Sequence, residues 1–88
     1  MTKHLTFIQE SISNFEVLLL KYKSGSGIFS ERDIEPLALY FCQNNWTLVA
    51  FCRLRNERRE FLLNRIQSIE KKEVNFAPNQ FNLTDHFL

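Results

Sequence analysis

From Arg32 to Ile66 the chain consists almost entirely of segments that suit extended backbone. Arg32-Asp33-Ile34-Glu35-Pro36, Trp46-Thr47-Leu48-Val49-Ala50 and Arg59-Glu60-Phe61-Leu62-Leu63-Asn64-Arg65-Ile66 read as a nearly unbroken strand–turn–strand–loop–strand. Arg32, Arg53, Arg55, Arg59 and Arg65 fall inside this stretch at spacings that can converge. A small β unit rimmed with arginine points to a phosphate-bearing ligand, because the planar guanidinium donates two parallel hydrogen bonds to phosphate oxygens.

Size and charge narrow the reading. At 88 residues the chain is long enough for one domain with a single modest core. Nine phenylalanines supply the large buried areas that so compact a core needs. The net charge is +1, so there is no global field to coat a nucleic-acid duplex. Charge is uneven, however: Arg53, Arg55, Arg58 and Arg59 stand against Glu57 alone, and a local anion site fits that pattern. No apolar run approaches the roughly 18 residues of a membrane span, and the N-terminus lacks a basic-then-apolar signal. The expectation is a cytoplasmic protein with no membrane partner. Cys42 and Cys52 have no metal-ligand spacing, no histidine lies near them, and they read as reduced, packed thiols.

Along the chain, Leu5, Ile8 and Ile12 recur at helical spacing, predicting one amphipathic helix over about 3–13 with Thr2 as its N-cap. The period then changes to alternation over Leu18, Leu20 and Tyr22, which is a strand. Ser24-Gly25-Ser26-Gly27 follows as a hairpin turn rather than a phosphate loop, since neither a helix start nor a Lys-Ser/Thr pair closes it. A second strand starts at Ile28-Phe29-Ser30, and Pro36 marks an edge, a bulge or a strand start. Leu37–Cys42 and Trp46–Arg53 are then strands around a two-residue Asn44-Asn45 turn. That turn pairs Phe41 with Leu48, Leu39 with Ala50 and Leu37 with Cys52, leaving Cys42 and Cys52 too far apart to bridge.

The same register sorts the faces. Leu37, Leu39, Phe41, Leu48, Ala50 and Cys52 point inward, while Ala38, Tyr40, Val49 and Phe51 point outward although they too are apolar. A cover over the outer face is expected, either the N-terminal helix or another chain. Arg59–Leu63 forms a further strand with Phe61 and Leu63 inward, Asn64-Arg65-Ile66 a one-turn connection, and Gln67–Asn75 a last strand with Ile69 buried. Ala77-Pro78-Asn79-Gln80 reads as a linker, and Phe81 to Leu88 as a C-terminal arm or the start of a truncated segment. The domain is thus expected over residues 1–76, with 77–88 outside it.

Five short strands and one N-terminal helix suggest a mainly β fold, a small and partly open barrel. The chain resembles the WYL domain family, the Sm-like barrel module of bacterial transcription regulators, over about residues 4–76. Arg32 and Pro36 match its Arg-x-x-x-Pro element. Trp46 and Leu48 match two positions of its Trp-Tyr-Leu tripeptide, and Arg59, Phe61, Leu63, Arg65 and Ile66 most of its Arg-x-Phe-Arg-Leu-Asp-Arg-Ile segment. Thr47 replaces the tyrosine, Leu62 a common arginine and Asn64 the usual aspartate. The resemblance implies an Sm-like, SH3-like five-stranded barrel that senses a ligand, with single-stranded nucleic acid and cyclic dinucleotides as the ligand types. It also implies an N-terminal DNA-binding domain, or other domains of a longer regulator, as partners.

The expected ligand-binding residues are Arg32, Arg53, Arg55, Arg59 and Arg65, with Tyr40 or Phe51 as a platform for a stacked base. His4 and His86 are isolated, and Asp33 and Glu35 read as ion-pair partners rather than an acid–base pair, so no catalytic residue, metal or cofactor is expected and the chain is not read as an enzyme. The alternative is a protein-interaction or homodimerisation module that uses the apolar outer face.

Overall fold

The computed structural model describes residues 4–77. Thr2 and the expected C-terminal arm lie outside the described residues. Helix α1 (Leu5–Ser13) is followed by β1 (Glu16–Lys23), β2 (Phe29–Cys42), β3 (Asn45–Cys52) and β4 (Glu57–Leu62). A 3-10 turn over Leu63–Arg65 then leads into β5 (Ile66–Asn75). The strands form one antiparallel sheet in the order β4-β3-β2-β1-β5.

Alternation divides this sheet into two faces. On the inner face Leu18, Leu20, Ile34, Leu48, Ala50, Phe61, Leu63 and Ile66 pack as one buried cluster. Ile8 of α1 belongs to the same cluster, with Leu5, Phe7 and Ile12 packed around it. The helix therefore covers the inner face. This corrects the expectation that it covers the outer one, where Val49 is fully buried and Ala38, Tyr40 and Phe51 are half-buried within the chain itself. Ile69, expected in the core, is partly buried at its margin.

The expected barrel is not closed by hydrogen bonds: among the described residues β4 and β5 remain the two edges of the sheet. The sheet nevertheless curls far enough for β4 to meet β1. Tyr22 of β1 packs its ring edge-on against Phe61 of β4, centroids 5.2 Å apart, and the Leu62 amide donates to the Tyr22 hydroxyl at 3.0 Å.

The β2–β3 turn differs by one position from the sequence expectation. Gln43 and Asn44, with φ of 52° and 63°, form the loop, and Cys42 pairs with Asn45, Phe41 with Trp46 and Leu39 with Leu48. A primed two-residue turn needs positive φ at both central positions, and asparagine is favoured there but not required. Asn45 instead opens β3 and braces the turn, its side-chain amide donating to the Gln43 carbonyl at 3.0 Å. The slip moves each partner by two residues, so every side chain of this hairpin keeps its face. A bulge at Leu37, beside Pro36, then shifts the register so that Ile34, rather than Leu37, lies opposite Cys52. Because β2 runs through this bulge as one strand, Arg32, Ile34 and Pro36 share the inner face. Both cysteines are free, Cys42 exposed and Cys52 buried.

Candidate anion-binding site

Arg32 stands on the inner face of β2, opposite Leu20 of β1. Its guanidinium lies over the Phe61 ring, 5.9 Å from the centroid, and Nη1 donates to the Cys52 Sγ at 3.6 Å. A thiol is a weak acceptor. The Arg32 Nε is buried with no hydrogen-bond partner, and no carboxylate lies within ion-pairing distance of this side chain among the described residues. A guanidinium held against an aromatic face, desolvated at one nitrogen and unneutralised, is an anion receptor by its chemistry.

The two other arginines of the motif stand on β4 and on the 3-10 turn that follows it. Arg59, two residues before Phe61, lies opposite Ala50 and pairs with Glu57 at 3.1 Å while its side chain stays 43% exposed. Arg65 ends the 3-10 turn just before Ile66, which lies opposite Tyr22. Its guanidinium rests on the Ser24–Gly27 turn, where a Cβ on Gly25 would come within 2.8 Å of Nη1. Gly25 is thus needed for a close approach of the guanidinium to the backbone. No ion pair holds Arg65 among the described residues. Ser30 lies opposite Tyr22.

Of the other expected site residues, Arg53 shares a surface depression with Arg32. Arg53 follows β3 and is bound to Glu35 at 2.9 Å, and with Arg32 it lines a shallow depression of about 400 Å³ whose other walls include Asp33, Leu54 and Lys72. Arg55 lies exposed in the β3–β4 turn. Tyr40 points to the outer face, where its hydroxyl donates to Glu60 at 2.8 Å. Burial first, then the Glu60 carboxylate, holds that phenol above its ordinary ionisation range. Phe51 lies opposite Glu35 and Arg58 on that same outer face. Of the expected arginines, Arg32 and Arg53 share a depression, whereas Arg59 stands on β4 and Arg65 rests on the β1–β2 turn.

Sequence reasoning missed Tyr22, Cys52 and Gly25 as parts of this setting, since each matters only through a contact across the curl. It also left open what Thr47 and Leu62 do. They are direct cross-strand partners on the outer face, with Tyr40 opposite Thr47 on the other side. Both departures from the motif therefore fall on one patch, away from the inner-face arginines.

A curled antiparallel sheet of five strands, plugged by one helix and carrying a guanidinium on its inner face that no described carboxylate neutralises, is a small β module of the binding or regulatory type. Among the described residues there is no cluster of histidine, cysteine and carboxylate side chains that could hold a metal, and no helix long and apolar enough to cross a membrane. The chain belongs to the WYL domain family, whose profile matches residues 3–71. It is 34% identical over 62 residues to YobV of Bacillus subtilis (strain 168), described as an uncharacterised HTH-type transcriptional regulator. That alignment covers 70% of this chain and 20% of the relative. Among solved structures it is similar to proteasome accessory factor B/C (PafBC) of Arthrobacter aurescens, with a TM-score of 0.80 and 28% identity over 90% of this chain and 13% of that protein. The chain thus spans a fifth or less of the relatives it matches.

Proposed function

We propose that this chain is the ligand-sensing module of a bacterial transcription regulator, binding a nucleotide or short single-stranded nucleic acid through Arg32, Arg59 and Arg65. The observation that carries this reading is Arg32, whose guanidinium is fixed by Phe61 and Cys52 yet has no carboxylate within ion-pairing distance among the described residues. The family and the HTH-type description of the Bacillus relative support the regulatory role, with a DNA-binding domain as the neighbour that reads the bound state. In this reading residues 1–76 form the sensing unit. An anion gathered by the three arginines draws the hairpin turn, the 3-10 turn and β4 together, and so biases how the module packs on its neighbour.

The test is fluorescence anisotropy with labelled short single-stranded DNA and RNA, competed by cyclic dinucleotides, across a range of salt. Three phosphate contacts on a single strand give a log–log salt slope of about −2. Arg32→Gln or Arg65→Gln is expected to weaken binding and make that slope shallower by about 0.7. A slope near zero, or unchanged affinity in both variants, overturns the site.

A second reading has its own observation. Ile28 and Phe29 at the β1–β2 tip are 67% and 64% exposed, which suits apolar association with a partner or a second copy. Self-association that survives added salt, seen by light scattering together with no oligonucleotide binding, is the outcome that favours it.

A further inference from the structure

We propose that the outer-face pocket beside Tyr40 is a second binding site, which takes a small cation with N–H donors, an ammonium or a guanidinium, on the Glu60 carboxylate. The pocket has a volume of about 430 Å³, within the range of about 300–1,000 Å³ usual for small-molecule sites. Strand pairing builds it. Tyr40 lies opposite Thr47, and Thr47 opposite Leu62, so β2, β3 and β4 each give one residue to its floor. Cys42 and Glu60 stand two residues along from Tyr40 and Leu62 on the same face.

Charge sets this pocket apart. The depression at Arg32 also has Arg53 and Lys72 in its walls, and the one at Ser30 has Lys21. Around the Tyr40 pocket there is no lysine or arginine among the described residues, and Glu60 is the carboxylate. Arg58, on the same face of β4, stands opposite Phe51 and is not part of the wall. The phenol, held above its ordinary ionisation range, stays neutral. A phosphate brought here would meet a like charge. Both departures from the motif act in this direction: an arginine at 62 would put a cation into the pocket, and a tyrosine at 47 would narrow it.

The hydrogen bonds already made favour a ligand that donates. The Tyr40 hydroxyl donates to the Glu60 Oε2 at 2.8 Å, and the Asn45 amide to the Gln43 carbonyl at 3.0 Å. Both residues thus direct a donor at the protein. An ionised carboxylate, by contrast, has about four lone-pair positions, of which the Tyr40 bond uses one. A charged donor gains most there, since charge-assisted hydrogen bonds are roughly twice as strong as neutral ones. The Tyr40 ring beside the carboxylate adds an aromatic face, which attracts a cation through its quadrupole.

The test is an amide-resolved NMR titration of the full chain with agmatine, which carries a guanidinium and an ammonium. Glutarate, a dianion of similar length, is the counter-probe. Agmatine is expected to shift the Tyr40, Thr47 and Leu62 amides, and glutarate to leave them in place. Glu60→Gln should weaken agmatine binding about tenfold or more, and so should Leu62→Arg, which places a like charge in the pocket. Arg32→Gln should leave agmatine affinity within about twofold, which separates this site from the proposed arginine site. No shift of these amides up to about 10 mM agmatine overturns the inference. So does an equal response to glutarate, or an affinity that Glu60→Gln leaves unchanged.

Discussion

On the outer face of the sheet each acid of the first half of β2 meets a cation. Glu31 pairs with Lys21 at 3.7 Å, Asp33 with Lys72 at 3.6 Å and Glu35 with Arg53 at 2.9 Å, so three different elements supply the partners. One residue out of phase, on the inner face, Arg32 meets a thiol and an aromatic ring, with no ion pair among the described residues. The two faces come from the same strand with alternating side chains. The difference is that the outer face is a self-neutralised surface, whereas the inner face keeps positive charge where the core closes. Exposed ion pairs of the first kind contribute little stability, about 0–1 kcal/mol each. They tie Lys21, Lys72 and Arg53 of the outer face to acids.

The contrast is sharpest where the core itself is removed. Leu48→Ala on the inner face should cost about 2–5 kcal/mol, because it opens a cavity at the centre of the cluster that α1 covers. Its neighbour Val49, equally buried but on the outer face, should cost about 1–2 kcal/mol when changed to alanine. Chemical denaturation of the two variants measures the gap. Equal losses would mean that the outer face carries a second core of the same weight.

Cys52→Asp tests the charge side of the comparison by placing a carboxylate against Arg32. Anion affinity should fall at least tenfold in protein that remains folded by circular dichroism, as a buried or half-buried ion pair replaces the receptor. Cys52→Ser, which keeps a neutral partner, should change affinity by less than about threefold, as should Glu35→Gln on the outer face. If Glu35→Gln weakened binding as much as Cys52→Asp, the two faces would not be functionally separate.

A smaller effect is expected at the turn. Gly25→Ala puts a methyl 2.8 Å from the Arg65 Nη1, and the flexible side chain must move aside. Oligonucleotide affinity should drop about threefold with stability unchanged to within about 0.5 kcal/mol. Full affinity in this variant would remove Arg65 from the site.

The smallest effect belongs to the outer face. Tyr40→Phe deletes the hydrogen bond to Glu60 and should cost about 0.5 kcal/mol while leaving anion binding intact. The folded phenol ionises above its ordinary value, so the folded state retains its proton where the unfolded chain loses it. Stability is therefore complete below pH ~10 and declines as pH rises through the folded ionisation range. That alkaline decline should be shallower in Tyr40→Phe, as read from denaturation midpoints across alkaline pH.

Periodicity alone determined a good part of this protein. The helical stripe of Leu5, Ile8 and Ile12, the alternation in β1 and the Ser24–Gly27 break are local signals that the packed chain has no reason to override. The hairpin faces survived a misplaced turn, because a two-residue slip in pairing cannot invert a pattern whose period is two. Motif positions likewise marked Arg32, Arg59 and Arg65, but not which of the six expected site residues meet. That depends on the bulge at Leu37, on the direction in which the sheet curls and on the contact of Tyr22 with β4. Each of these joins residues about 20–40 positions apart in sequence through packing rather than through any local preference. Tertiary structure alone decided that Thr47 and Leu62 face each other on the outer face, that Gly25 seats Arg65, and that Arg32 has no acid within ion-pairing distance among the described residues. Whether a charge is neutralised is a property of its neighbours in space, and a linear pattern of residue types does not contain it.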